Sequence, residues 1–216
     1  VKPLVLAILL IAACSKDVTD QDIVSNLRAK PVEARAKLIA EADQRPERGD
    51  AIRRGDKPLT LVGRTLDVGD PMPAVTLVDA KLEPIDLAAL KGKLVVLSVV
   101  PSIDTRVCEA QTHRVSDAIP SLPAGAVVIT VSRDLPFAQE RFAEEAMTKT
   151  MMASDYRGGA FGRAFGLDVK ESGLLARSVW VIGADGRIAY RELVADQTTE
   201  PDYDAMIAAA AKAGGG

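Results

Sequence analysis

Two continuous, mainly β-branched runs, residues 94–100 and 126–131, each apolar but for one small hydroxyl residue (Ser98, Thr130), constrain the fold of this 216-residue chain more than any other feature. Neither run alternates with polar residues, so a strand made from it must be covered on both faces. The first run is bounded by Gly92 and Pro101. Between the runs, Val107, Gln111, Val115 and Ile119 recur at helical spacing. Aromatic residues make up only 4% of the chain, so the core has to rest on Val, Leu, Ile and Ala.

The flanking segments continue the pattern. Residues 59–62 and 65–68 flank Gly63-Arg64 and read as a small hairpin, followed by short strands at 75–78 and 82–87. Residues 136–147 read as a helix with Phe137, Phe142 and Met147 apolar, and 158–166 as a short helix ending at Gly166. Strands at 179–182 and 188–193 are joined by Ala184-Asp185-Gly186, a hairpin turn. Pro201 is placed to open the last helix. Strands alternating with helices and closing on a hairpin predict an α/β domain with a mixed central sheet flanked by helices, and a thioredoxin-like fold fits best.

The N-terminus reads as an address. Residues 4–13 are apolar without a break, which is too short for a membrane-spanning helix of about 20 residues but fits an export signal. Leu10-Ile11-Ala12-Ala13-Cys14 resembles a bacterial lipobox, with Cys14 as the acylated residue. The expected organisation is a signal peptide at 1–13, a polar tether or helical extension at 14–57 and the folded domain at 58–216. Arg45-Pro46-Glu47-Arg48-Gly49-Asp50 reads as loop within that extension. The expected location is the bacterial cell envelope on its periplasmic side, lipid-anchored. Ser15 after the cysteine leans toward the outer membrane.

Composition removes several functions. A formal charge of −3 gives no electrostatic reason for a nucleic-acid partner. One histidine and two cysteines are too few for an ordinary protein-only zinc site or a disulfide scaffold. No Gly-rich phosphate loop is present, and no cofactor is implied. Thiol, carboxylate and guanidinium chemistry remain. The one cysteine within the domain follows the 94–100 strand, in Pro101-Ser102-Ile103-Asp104-Thr105-Arg106-Val107-Cys108. A cysteine in the first turn of a helix meets the positive end of the helix field and unpaired backbone N–H groups. Thr105 is spaced to bring its hydroxyl beside that sulfur. Pro101 donates no hydrogen bond and can wall the pocket from water. His113 reads as a solvated or packing residue and Trp180 as core.

Pro101, Thr105 and Cys108 match the P-x-x-x-T-x-x-C motif of peroxiredoxins. The string 101–108 resembles the thiol peroxidase branch, the atypical two-cysteine subfamily. Further blocks are similar in order: Ser132-x-Asp134-Leu135-Pro136-Phe137-Ala138-Gln139-x-Arg141-Phe142, Gly173-Leu174-x-Ala176-Arg177, and Thr198-Thr199-Glu200-Pro201-Asp202-Tyr203. The resemblance covers about residues 57–213. It implies a peroxidase of hydrogen peroxide and organic hydroperoxides. Cys108 would be the peroxidatic cysteine that becomes a sulfenic acid, Thr105 a donor to thiolate and peroxide, and Arg177 the active-site arginine. Arg157 aligns with a second arginine of the family and is a secondary candidate, as a brace. A homodimer is the subfamily's common assembly, which an altered N-terminal tether could change.

The chain departs from the subfamily at its resolving cysteine, where Ala143 stands. With Cys14 acylated, resolution of the sulfenic acid falls to an external thiol reductant, small or protein-borne. Two other readings stay open at this level. One is a non-catalytic thioredoxin-fold envelope lipoprotein that binds a partner. The other is a thiol–disulfide oxidoreductase, which the missing C-x-x-C pair disfavours.

Overall fold

A computed structural model describes residues 46–215, within a compact unit that begins at Pro46. The proposed signal segment, the Cys14 lipobox and the extension up to residue 45 lie outside the described residues. Among the described residues, no helix is long and apolar enough to cross a membrane.

The chain opens with the hairpin β1 (Glu47–Arg54) and β2 (Lys57–Val62), antiparallel with Ile52 opposite Leu59. Next come β3 (Thr76–Val78), β4 (Pro84–Asp86) and β5 (Val95–Val99). Helix α1 (Arg106–Ala118) leads to β6 (Val127–Ser132), and α2 (Pro136–Glu145) to β7 (Met151–Ser154). Helix α3 (Ala160–Phe165), β8 (Asp168–Val169), the hairpin β9 (Ser178–Ile182) and β10 (Ile188–Leu193), and α4 (Tyr203–Gly214) complete the fold.

Seven strands form one sheet in the order β10-β9-β5-β6-β7-β3-β4. Strand β5 lies in its middle, parallel to β6 and antiparallel to β9, and all five of its residues are buried. Its side chains divide between two cores, as strand alternation requires. Val95, Leu97 and Val99 join Ile129, Val131, Trp180 and the α3 residues Phe161 and Phe165. Val96 joins Val128, Val179 and Val181 under Val115 of α1 and Met206 and Ala210 of α4. Phe161 and Phe165 stack at 4.2 Å between centroids, and Trp180 meets Phe165 edge-on at 5.3 Å. The mixed α/β sheet with flanking helices and an N-terminal hairpin is the thioredoxin-like fold expected from the sequence.

The hairpin itself forms elsewhere than expected. Residues 47–50, read as loop within the extension, form the first half of β1, whereas 65–68 make no strand. Ile52 and Leu61 carry the hairpin into the core, at 2% and 0% exposure, and β2 pairs with β8 in a second, three-stranded sheet. Gly63 and Gly166 allow the close approach behind it. A Cβ on Gly63 would lie 2.9 Å from Gly166 Cα, and both glycines have positive φ. The last helix starts at Tyr203 instead of Pro201, because Asp202 caps it by accepting from Ala205 N–H. Phe137 and Met147, expected on the apolar face of α2, are exposed.

Candidate functional site

The site is assembled where β5 gives way to α1. After Val100 the chain turns through Pro101, and Asp134 from the loop beyond β6 fastens the turn. Asp134 Oδ1 accepts from the Ser102 hydroxyl at 2.8 Å, and Oδ2 accepts from Ile103 N–H at 2.9 Å. Thr105 then takes the position that caps α1. A threonine there usually turns its oxygen to a backbone N–H of the first turn. Here no such bond forms. The hydroxyl donates instead to Cys108 Sγ at 2.9 Å.

Cys108 is the third residue of α1 and is fully buried beside Val100, Ile103 and Met152. Ala143 of α2 packs against the same cluster. Arg177, immediately before β9, reaches across the sheet and donates from Nη2 to Cys108 Sγ at 3.2 Å. Arg177 is only 2% exposed. Its Nη1 donates to Gln111 Oε1 at 2.7 Å, and its Nε donates to Gln197 O at 3.2 Å. Gln111 is fixed in turn by donating to Ser98 Oγ at 2.9 Å, and Gln197 Oε1 accepts from Arg177 N–H at 2.5 Å.

The electrostatics follow from what the guanidinium lacks. Among the described residues, no carboxylate lies within 4.0 Å of Arg177. Its oxygen partners are neutral amides. Of the groups to which Arg177 donates, Cys108 Sγ is the one that is not an amide oxygen. Two donors converge on Sγ from different elements, which suits a thiolate and any oxygen bonded to it. Thr105, Pro101 and Arg177 also line a cavity of about 270 Å³ whose walls include Leu59, Leu174 and Leu175.

Of the candidates from the sequence, Cys108, Thr105, Pro101 and Arg177 are thus brought together. Arg157 is not. It is exposed, donates to the hydroxyl of Tyr156 at 3.2 Å, and is absent from the cavity wall. His113 is half-exposed and pairs loosely with Glu109 at 3.9 Å, while Trp180 is buried core. Sequence reasoning missed Gln111 and Gln197 as holders of Arg177. Gln111 stands in the packing stripe of α1, and a polar residue among apolar ones is the signal the sequence offers. For Gln197 no signal existed, since its role depends on the loop after β10 folding back on Arg177.

The fold and this donor-lined thiol define a thioredoxin-like protein built for chemistry at sulfur. A model of the Redoxin family matches residues 67–207. The thiol peroxidase of Bacillus subtilis is 45% identical over 154 residues, covering 71% of this chain and 92% of the relative. The thiol peroxidase of Listeria monocytogenes is 45% identical over 157 residues, covering 72% and 94%. A peroxiredoxin-like protein from Aquifex aeolicus superposes with a TM-score of 0.70 at 35% identity, covering 74% of this chain and 95% of that one. The chain belongs to the redoxin family, among the thiol peroxidases, and its function at the level of that family is that of a thiol-peroxidase-type oxidoreductase.

Proposed function

We propose that Cys108 is the peroxidatic residue of a thiol-dependent peroxidase acting on hydrogen peroxide and organic hydroperoxides. The observation that carries this reading is Arg177, buried, with no carboxylate within 4.0 Å among the described residues, and donating to Sγ at 3.2 Å. The thiolate attacks the terminal peroxide oxygen. An S–O bond forms, the O–O bond breaks, and the electron pair leaves on the distal oxygen as hydroxide or alkoxide, which takes a proton from solvent. Cys108 becomes a sulfenic acid. Arg177 Nη2 and the Thr105 hydroxyl hold the thiolate and meet the charge as it passes to oxygen. Pro101 walls the cavity beside them.

The cycle closes through an external thiol. Cys108 is the free cysteine among the described residues, and Ala143 occupies the position a resolving cysteine would take. One external thiol condenses with the sulfenic acid to a mixed disulfide, releasing water. A second thiol releases Cys108 and carries away the disulfide. The reading also includes a lipid anchor at Cys14, a place on the periplasmic side of a bacterial envelope, and a homodimer. Exposed Leu135, Phe137 and Met147 on and around α2 support the dimer.

The test is peroxide consumption with excess dithiothreitol. Native protein should turn over and Cys108→Ser should not. Equal inertness of both would favour a non-catalytic binding protein instead. Peptide mapping without reductant should find no Cys14–Cys108 disulfide after peroxide treatment, and finding one would overturn the external-thiol cycle.

A further inference from the structure

Two of the bonds that hold Arg177 end on one residue. Gln197 O accepts from Arg177 Nε at 3.2 Å, and Gln197 Oε1 accepts from Arg177 N–H at 2.5 Å. The Gln197 amide is fixed in turn, donating from Nε2 to Val194 O at 2.6 Å, while Val194 N–H donates to Arg177 O at 3.1 Å. Yet Gln197 belongs to the loop between β10 and α4. A loop keeps a guanidinium in place only when a rigid element holds the loop.

The N-terminal hairpin supplies that element. Arg53 N–H donates to Ala195 O at 2.8 Å, and Arg53 O accepts from Gln197 N–H at 2.8 Å, which makes a parallel bridge between the end of β1 and Asp196. The side chains close the same contact. Asp196 Oδ2 pairs with Arg53 Nη2 at 3.4 Å, and Asp196 Oδ1 accepts from Gly55 N–H at 3.3 Å. Oδ1 also accepts from Thr198 N–H at 3.0 Å and from the Thr198 hydroxyl at 2.7 Å, which folds the loop around the carboxylate. One carboxylate thus joins the β1–β2 turn to the residues on both sides of Gln197. Neither Arg53 nor Asp196 lines the cavity beside Arg177, so any influence on the reaction has to pass through the loop they hold.

We propose that Asp196 is a positioning residue of the peroxidase. By clasping the loop to the end of β1 it sets where Gln197 holds Arg177, and so where Nη2 meets Cys108 Sγ. The inference rests on Cys108 being the peroxidatic residue. It gives the N-terminal hairpin a part in the reaction, as the backing of the arginine. A misplacement of about 1 Å in a group that orients reacting atoms costs about 10²-fold in rate, so a loosened loop is felt at the sulfur.

The rate of Cys108 oxidation by hydrogen peroxide is measured by rapid quench in the full chain. Asp196→Ala should lower it about tenfold. The decisive comparison is a pair of double variants. Added to Thr105→Val, Asp196→Ala should still cost several-fold. Added to Arg177→Lys, it should cost less than about twofold, because the group it acts through is gone. A loss under about twofold in Asp196→Ala alone, or an equal loss in both backgrounds, would overturn the proposal. Arg53→Gln, a change at an exposed side chain that leaves the backbone pairing in place, tests the same link without kinetics. Solvent exchange of Arg177 Nε–H, followed by nuclear magnetic resonance against the amide of Val96 in β5, should quicken about threefold. Unchanged exchange would overturn the proposal. Native protein whose Cys108 reacts no faster than free cysteine would overturn the peroxidase reading alone, and the Nε–H exchange would still decide whether Arg53 and Asp196 hold the arginine.

Discussion

Arg177 Nη2 lies 3.2 Å from Cys108 Sγ although Cys108 belongs to α1 and Arg177 precedes β9, 69 positions later in the chain. The guanidinium divides its donors among the sulfur, Gln111 and Gln197, and a lysine has no planar fork to reproduce that division. Arg177→Lys should therefore lower the second-order rate of Cys108 oxidation by about 10²–10³ while leaving the fold intact. Rapid-quench oxidation of the variant, with circular dichroism as the control for folding, checks it. A drop of less than about threefold would remove Arg177 from the chemistry.

Thr105 separates its hydroxyl from its shape. Thr105→Val keeps the volume and loses the bond to Sγ, while Thr105→Ser keeps the bond. A hydrogen bond to a charged group contributes about 1.5–3 kcal/mol, so the valine variant should react about 10–100 times more slowly and the serine variant should stay near native. Stopped-flow peroxide titration of both variants decides it. Equal loss in the two would point to packing instead of the hydroxyl.

Gln111 acts through Arg177. Gln111→Leu leaves Nη1 of a buried guanidinium without its 2.7 Å acceptor and removes a donor from Ser98. The expected outcome is a loss of about tenfold in kcat/KM and a lowered melting temperature, because Nη1 of the buried guanidinium keeps only the Val107 carbonyl at 3.5 Å. Thermal melts and peroxide kinetics on the same preparation measure both. Unchanged kinetics would mean that Gln197 and the Val107 carbonyl suffice to position the arginine.

The hairpin should loosen in acid. The backbone N–H of Thr60 is the main cause holding the Glu171 carboxyl below its usual range, and the Thr198 hydroxyl and N–H hold Asp196 low, with Gly55 N–H adding to it. Both depressed values mean that stabilisation is complete above the ordinary carboxylate range and is lost as the pH falls through the folded-state values. Asp155 has the opposite sign. Burial pushes its carboxyl up, so its contribution is present at low pH and is lost as the pH rises through its folded value. Hydrogen exchange at Thr60 and Gly55, corrected for intrinsic rates, should show protection falling below about pH 4. Protection that holds constant to pH 3 would contradict this.

The legible parts of the sequence were those where one residue pattern had one structural solution. The 94–100 and 126–131 runs became β5 and β6 because a strand with apolar residues on both faces is stable only when covered on both. The segment 101–108 announced a thiol at a helix start, and Cys108 stands there. Strand β1, Glu-Arg-Gly-Asp-Ala-Ile-Arg-Arg, did not read as a strand because Ile52 is its one buried residue. Its form comes from pairing with β2, which in turn borrows β8 from more than 100 residues away. Strand β7 was missed for a similar reason, since Met151-Met152-Ala153-Ser154 has no β-branched residue and is held by its parallel pairing with β6. Arg157 was misplaced because its position next to α3 in sequence says nothing of its side chain, which lies over the Tyr156 ring.

The most direct test is the rate at which hydrogen peroxide converts Cys108 to its sulfenic acid, followed by rapid quench and mass analysis of the Cys108 peptide at neutral pH. With Thr105 and Arg177 both donating to Sγ, the account predicts a second-order rate at least about a hundredfold above that of free cysteine under the same conditions. A rate equal to that of free cysteine would contradict it.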